Sequence, residues 1–302
     1  MTGAVSLLSP IADAVRDGRP VVALESSVIA QGLPEPANKR AYERMVRAVE
    51  SRGAVPAVAA IAKGVVQFGL DGDDLERFFA RTGVHKAGAR DLGLLVATKG
   101  DGATTVSATL AMAKLAGISV FATGGIGGVH HEPDYDESAD LVELARTPCV
   151  VVCAGAKSIL DLPATLERLD TLGVAVVGYR CDELPGFFTA HTDLPLPWRL
   201  DTVDDIAAAF LAQRALGRPG ALLVVQPPPA DVALPRDVVE RAVRGAHNQA
   251  RIRGVRGSAV TPFMLAAIEK ETEGRSLNTN LALLDANAAL AAEIAVSIAA
   301  RR

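Results

Sequence analysis

Lys157 follows an apolar run and the small-residue turn Ala154-Gly155-Ala156, in the segment VVVCAGAKSILD. A lysine leaving the end of an apolar strand is poorly hydrated, which favours the neutral amine that a Schiff-base nucleophile requires. A structural lysine would instead lie on the outer face of the following helix, and spacing alone leaves both readings open. Glu25 ends a second apolar run, in VALESSVIAQGLPEPAN, with two hydroxyls and a Gly/Pro-rich loop after it. A carboxyl half removed from water keeps its proton to higher pH and can act as a general acid near neutrality. The plainer roles for Glu25 are an arginine partner or a helix cap.

Four further segments could bind rather than react. Lys86 and Arg90, in HKAGARDL, are paired cations that suit a phosphate, or else form a solvated basic turn. Gly102–Thr105 opens a helical pattern with hydroxyls where backbone N–H groups lack partners, which makes an anion site or simply an N-cap. The run Gly124–Gly128, GGIGG, has neither the spacing nor the following helix of a dinucleotide fingerprint, and argues only for close backbone approach to a ligand. His130 and His131 come directly after it. Asp134–Asp140, DYDESAD, packs four carboxylates into seven residues. Such a cluster suits hard Mn²⁺ or Mg²⁺, or else forms an acidic helix start favoured by the macrodipole.

Short β-branched runs alternating with helical patterns would position these groups. Strands are expected at Val21–Leu24, Leu94–Thr98, Ser119–Thr123, Cys149–Ala154, Val174–Tyr179 and Ala221–Gln226. Helices are expected at Asn38–Arg52, Thr104–Leu115, Glu137–Arg146, Ile159–Leu172 and Thr202–Leu216, then at Pro235–Ile252, Ala259–Glu273 and Asn280–Ala300. Continuous apolar strands between helices imply a three-layer α/β/α sandwich with a largely parallel, mixed central sheet. No linker or internal repeat divides the chain, so a single domain over residues 1–302 is expected. Ligands of such sheets gather at the carboxyl ends of the strands, where the Gly-rich segments fall.

Composition excludes several classes. A formal net charge of −4 gives no electrostatic reason for a nucleic-acid partner. Cys149, Cys153 and Cys181 are odd in number, and two lie in or beside an apolar run, which reads as reduced core thiols of a cytoplasmic protein. No charged n-region with a long apolar stretch opens the chain, and no run of about 18 apolar residues escapes a charge, Gly or Pro, so no membrane span is expected.

Taken together, the segments resemble the pseudouridine-5′-phosphate glycosidase family, which includes indigoidine-synthase-A-like proteins. The resemblance rests on VALESSVIAQGLPEPAN, GATTVSATLAMAKLAGISVFATGGIGGVH, SADLVELARTPCVVVCAGAKSILD, VTPFMLAAI and NLALLDANAALAAEIA, from near residue 20 to near residue 296. It implies an α/β/α fold, a bound Mn²⁺ and a homotrimer. It also implies that Glu25 is the proton donor and that Lys157 forms an imine with C1 of ribose. Lys86, Val106, His130, Ser138, Ala139, Asp140 and Asn280 would contact substrate, and Asp136 would hold the metal. Three departures mark this chain: Gln31 where the family has histidine, Gly88 and Ala89 where it has Ser and Arg, and a shortened stretch at His131-Glu132-Pro133.

The expected activity is reversible cleavage of pseudouridine 5′-phosphate to uracil and ribose 5-phosphate. The altered wall raises an alternative within the same chemistry, a C-glycosynthase of alnumycin-like pathways joining ribose 5-phosphate to an aromatic acceptor. An aldolase or other Schiff-base lyase, and a non-catalytic sugar-phosphate binding protein, are the rivals from other classes.

Overall fold

The computed structural model describes residues 5–132, 135–255, 257 and 260–301. Asp134, counted above in the acidic cluster, and Ala259, the expected start of a helix, lie outside the described residues. The strands are β1 (Ser6–Leu7), β2 (Val21–Glu25), β3 (Val55–Ala62), β4 (Val65–Phe68), β5 (Val84–Ala87) and β6 (Asp101–Thr104). They continue as β7 (Val120–Ala122), β8 (Val150–Cys153), β9 (Ala175–Tyr179), β10 (Arg199–Leu200) and β11 (Leu222–Val225). The helices are α1 (Ser9–Arg16), α2 (Ala37–Glu50), α3 (Gly72–Phe79), α4 (Leu92–Thr98), α5 (Val106–Ala116) and α6 (Ala139–Arg146). After them come α7 (Leu162–Thr171), α8 (Val203–Ala215), α9 (Arg236–Ile252), α10 (Val260–Glu271) and α11 (Arg275–Ala299).

All eleven strands join one sheet in the order β1-β4-β3-β2-β7-β8-β11-β9-β10, with β6 paired to β3 and β5 to β6. Among the described strands, only the pairings of β3 with β4 and with β6 are antiparallel. The central strands VVALE, VVVC and LLVV are buried along their whole length. Covered on both faces, they have no need to alternate apolar with polar residues. Helices α2, α11 and α8 pack side by side, with α11 lying over β2, β7 and β8, while α5 and α6 pack together and α5 covers β2 and β3. The expected three-layer mixed sheet is borne out.

Helix α11 is long and apolar enough to cross a bilayer by length and composition, but 67% of its most apolar stretch is buried inside the protein. It is a core helix, with Leu283, Leu284, Ala288, Ala291 and Ile294 buried in the core.

The sheet changes direction at its centre. From β2 the chain moves outward to β3, and from β7 it moves the other way to β8, although β2 and β7 are parallel neighbours. Loops leaving the two strands therefore diverge and open a crevice at their carboxyl ends, where doubly wound sheets bind ligands. Glu25 ends β2, the glycine run follows β7, and Lys157 follows β8.

Two expectations need correcting. Leu94–Thr98 is not a strand but lies within α4, where Leu94 and Val96 are exposed and Leu95 alone is buried. The run looks strand-like because Leu95 must cover β6, whose Gly102 leaves room for it: a Cβ there would stand 2.5 Å from Leu95 Cδ1. Thr104 does not begin a helix; it ends β6, and α5 starts at Val106.

Candidate active site

A cavity of about 380 Å³ opens at the carboxyl ends of β2, β5, β7 and β8. Glu25, Lys86, Val106, His130, Asp136, Ser138, Ala139, Asp140, Lys157 and Asn280 all line it. These ten residues thus meet in one place, although Glu25 and Asn280 are 255 positions apart.

Glu25 is 6% exposed at the end of β2. Its Oε2 accepts a hydrogen bond from Ser27 Oγ at 2.5 Å, and its Oε1 accepts from Thr123 Oγ1 at the end of β7. Burial raises its pKa above the usual carboxylate range. The Lys157 charge and the two hydroxyls oppose that rise without cancelling it, and Asp140 adds to it. The group can therefore hold a proton at higher pH than a free carboxyl.

Beneath Glu25 lies a closed hydroxyl cluster. Thr104 N–H donates to Ser26 Oγ at 2.9 Å, Thr104 Oγ1 to Ala59 O at 3.0 Å, and Thr109 Oγ1 to Thr104 Oγ1 at 3.0 Å. Such a buried network holds one geometry when all its members are paired. It fixes the chain on the core side of Glu25.

Lys157 leaves β8 through a tight turn. Gly155 has φ +84°, and a Cβ there would stand 2.1 Å from Pro185 O, so no other residue fits. Backbone bonds from Lys157 N–H to Ile126 O (3.1 Å) and from Leu160 N–H to Lys157 O (3.0 Å) then fix the lysine on the cavity wall.

Lys86 stands on β5 across the cavity. It is accessible to solvent, yet the walls of the cleft strip away enough water to lower its pKa, and the Lys157 charge lowers it further. Glu25 and Asp140 pull in the other direction. The two lysines thus line the same cavity.

Asp140 acts as a brace. It is 5% exposed, and its Oδ1 accepts from Ser107 N–H while Oδ2 accepts from Gly127 N–H, each at 2.9 Å. One carboxylate thus ties the start of α5 to the glycine loop. The anion occupying an early N–H group of α5 is the protein's own carboxylate. Ser138 caps α6 by accepting from Asp140 N–H at 3.2 Å.

The glycine run reads differently in three dimensions. A Cβ at Gly125 would stand 2.6 Å from Phe187, at Gly127 2.2 Å from Ser138 Oγ, and at Gly128 2.3 Å from Thr165 Oγ1. The bare positions make room for the protein's own side chains, not only for a ligand.

His130 lines the cavity, and burial lowers its pKa, with Asp136 opposing. His131 turns away, with its ring 5.4 Å from that of His247 and its Nδ1 3.7 Å from Asp161 Oδ2. Arg90 lines the cavity, with its side chain 89% exposed and Nε 3.7 Å from Asp91 Oδ1.

Among the described residues, no three His, Cys, Asp or Glu side chains assemble as a cation cage. Asp136 stands exposed at the cavity, with no hydrogen bond or ion pair to its carboxylate among those residues. A single hard carboxylate beside solvent fits Mn²⁺ or Mg²⁺ that keeps most of its waters, and does not fit a zinc cage.

Three supporting residues escaped sequence reasoning. Thr123 and Ser27 hold the Glu25 carboxyl. Asn287 on α11 is 1% exposed, donates to Thr123 O at 2.9 Å and accepts from Gln226 Nε2 at 2.9 Å. The available signal was an amide inside the apolar run LALLDANAAL, since a buried amide needs a partner.

The chain matches the indigoidine synthase A-like protein family over residues 10–297. It belongs to that family. A pseudouridine-5′-phosphate glycosidase of Gemmatimonas aurantiaca is 60% identical over 290 residues, covering 96% of this chain and 95% of the relative. One from Herpetosiphon aurantiacus is 50% identical over 295 residues, covering 97% of each. Among solved structures, the prealnumycin C-glycosynthase AlnA in complex with ribulose 5-phosphate aligns with a TM-score of 0.91 at 38% identity, covering 98% of this chain and 97% of AlnA. An indigoidine synthase A-like protein of Thermotoga maritima aligns with a TM-score of 0.89 at 35% identity, covering 98% and 96%.

Proposed function

We propose that this family member is a pseudouridine-5′-phosphate glycosidase, which reversibly cleaves its substrate to uracil and ribose 5-phosphate through an imine on Lys157. The observation that carries the reading is the meeting of Glu25, Lys86 and Lys157 around one cavity at the sheet's switch point. The nearly full-length likeness to glycosidases of that name supports it.

The bond to be broken joins two carbons, so the leaving group cannot be protonated as an ordinary glycosidic oxygen is. A lysine supplies a different route. Glu25 gives its proton to the ring oxygen as Lys157 Nζ bonds to C1, which opens the sugar. The new C–N nitrogen passes a proton to the now ionised Glu25, its freed lone pair expels the base carbon, that carbon takes the proton from Glu25, and an iminium is left. Water releases ribose 5-phosphate and restores the amine. Lys86 holds the phosphate, while Asp140 keeps the start of α5 and the glycine loop in place. Asp136 would hold Mn²⁺, which when bound would supply polarisation of the oxygens of the base. A cytoplasmic homotrimer without nucleic-acid or membrane partners completes the proposal.

The likeness to AlnA favours a second reading, in which ribose 5-phosphate is joined to an aromatic acceptor. Incubation with pseudouridine 5′-phosphate separates the two. The first reading expects rapid release of uracil; a protein that forms the imine but releases no uracil would favour the second.

A further inference from the structure

Gln31 lies six positions after Glu25, on the wide π-helical turn Val28–Gly32, where Leu33 N–H donates to Val28 O at 3.1 Å. Such turns are rare and are found disproportionately at functional sites. Gln31 Nε2 donates to Val84 O of β5 at 3.2 Å. That bond fixes the amide, because exchanging its oxygen and nitrogen would set two acceptors face to face.

Gln31 Oε1 is consequently an acceptor, and it is shut off from water with no donor among the described residues. Ser158 Oγ is the other buried side-chain atom in that state, but of the two residues it is Gln31 that lines the active-site cavity. Buried polar groups are nearly always paired, so an orphan acceptor at a binding site calls for an explanation. Oε1 has no accessible surface in this structure, so neighbouring side chains must part slightly before a ligand donor reaches it.

Gln31 also lines a smaller adjoining cavity of about 170 Å³, walled by Leu33, Pro34, Phe188 and Leu265. Asn280 is shared by the two cavities in the same way. The phosphate sugar belongs to the side of Lys86 and Lys157. The annex is mainly apolar, with Arg81 and Glu269 also on its wall, and suits an uncharged, flat ring that carries polar edges.

We infer that Gln31 selects the aglycone: a planar, uncharged ring occupies the annex and donates an N–H to Gln31 Oε1. This assignment rests on the glycosidase reading and names the residue that sets which base is accepted.

The test runs the reaction towards bond formation, with ribose 5-phosphate and either uracil, 1-methyluracil or 3-methyluracil. In the unaltered protein, one of the two methyl groups should raise the half-saturating concentration about tenfold or more, because it removes the N–H that Gln31 reads. Gln31→Leu should raise the value for uracil by a similar factor and erase the penalty for that methyl group, a non-additive pair. Half-saturation by ribose 5-phosphate, and its borohydride trapping on Lys157, should stay unchanged. Gln31→Met serves if the leucine variant does not fold. The assignment is overturned if neither methyl group is penalised in the unaltered protein, or if the variant weakens all three bases equally. Trapping that fails in the unaltered protein would instead bring down the reading beneath it.

Discussion

Thr123, at the exit of β7, donates its hydroxyl hydrogen to the buried Glu25 carboxyl at the end of β2. This contact joins the two strands between which the sheet reverses direction. It is one of the contacts that limit how far the proton donor's pKa can rise. Burial pushes it up, and the Lys157 charge and the hydroxyls of Ser27 and Thr123 hold it back. Removing a hydroxyl destabilises the charged form, so Thr123→Val and Ser27→Ala should raise that pKa further. Since the donor works only while protonated, the alkaline limb of kcat/KM should move to higher pH in both variants. A shift to lower pH would mean that Glu25 is not the acid.

The same raised pKa has a consequence for stability. Unfolded, the carboxyl ionises in the ordinary range; folded, it ionises later. Across that interval the native state binds more protons, so the contribution of Glu25 to stability falls as pH rises through it. Glu25→Gln cannot ionise. Its melting temperature relative to the unaltered protein should therefore rise from acid to alkaline pH, as calorimetry at a series of pH values would record.

Asp140 uses both oxygens on backbone N–H groups, those of Ser107 and Gly127. Asn would turn an NH₂ towards one of them and leave a buried donor without a partner. Asp140→Asn should lose about 1–3 kcal/mol in denaturant unfolding. It should also raise KM, because the start of α5 and the glycine loop are no longer tied together. Unchanged stability would contradict the brace.

Lys86 and Lys157 should separate kinetically. Lys86→Ala removes a phosphate contact present in both ground state and transition state, so it should raise KM and leave most of kcat. Lys157→Ala should abolish turnover. Equal losses of kcat would refute this division of labour.

Much of this was legible in the sequence because strand ends announce themselves. Glu25 follows a β-branched run and precedes two serines, Lys157 follows a β-branched run and a small-residue turn, and a parallel sheet brings such positions to one edge. What stayed hidden depended on partners far along the chain. Thr123 finds Glu25 across 98 positions, and Asn287 finds Thr123 across 164. No local pattern records those distances. The glycine run misled for a related reason: bare Cα atoms signal close approach, but only the fold shows that Phe187, Ser138 and Thr165 do part of the approaching. In α4, the apolar run Leu94–Ala97 imitates a strand by composition, although Leu95 is its single buried residue. The metal expectation at Asp136 remains a matter of one accessible carboxylate.

The most direct measurement is borohydride reduction of the protein in the presence of ribose 5-phosphate, followed by peptide mass analysis. A reduced pentose phosphate adduct on Lys157, missing from Lys157→Ala and from unreduced samples, is the predicted result. An unmodified Lys157 in protein that still releases uracil would contradict covalent catalysis at this residue.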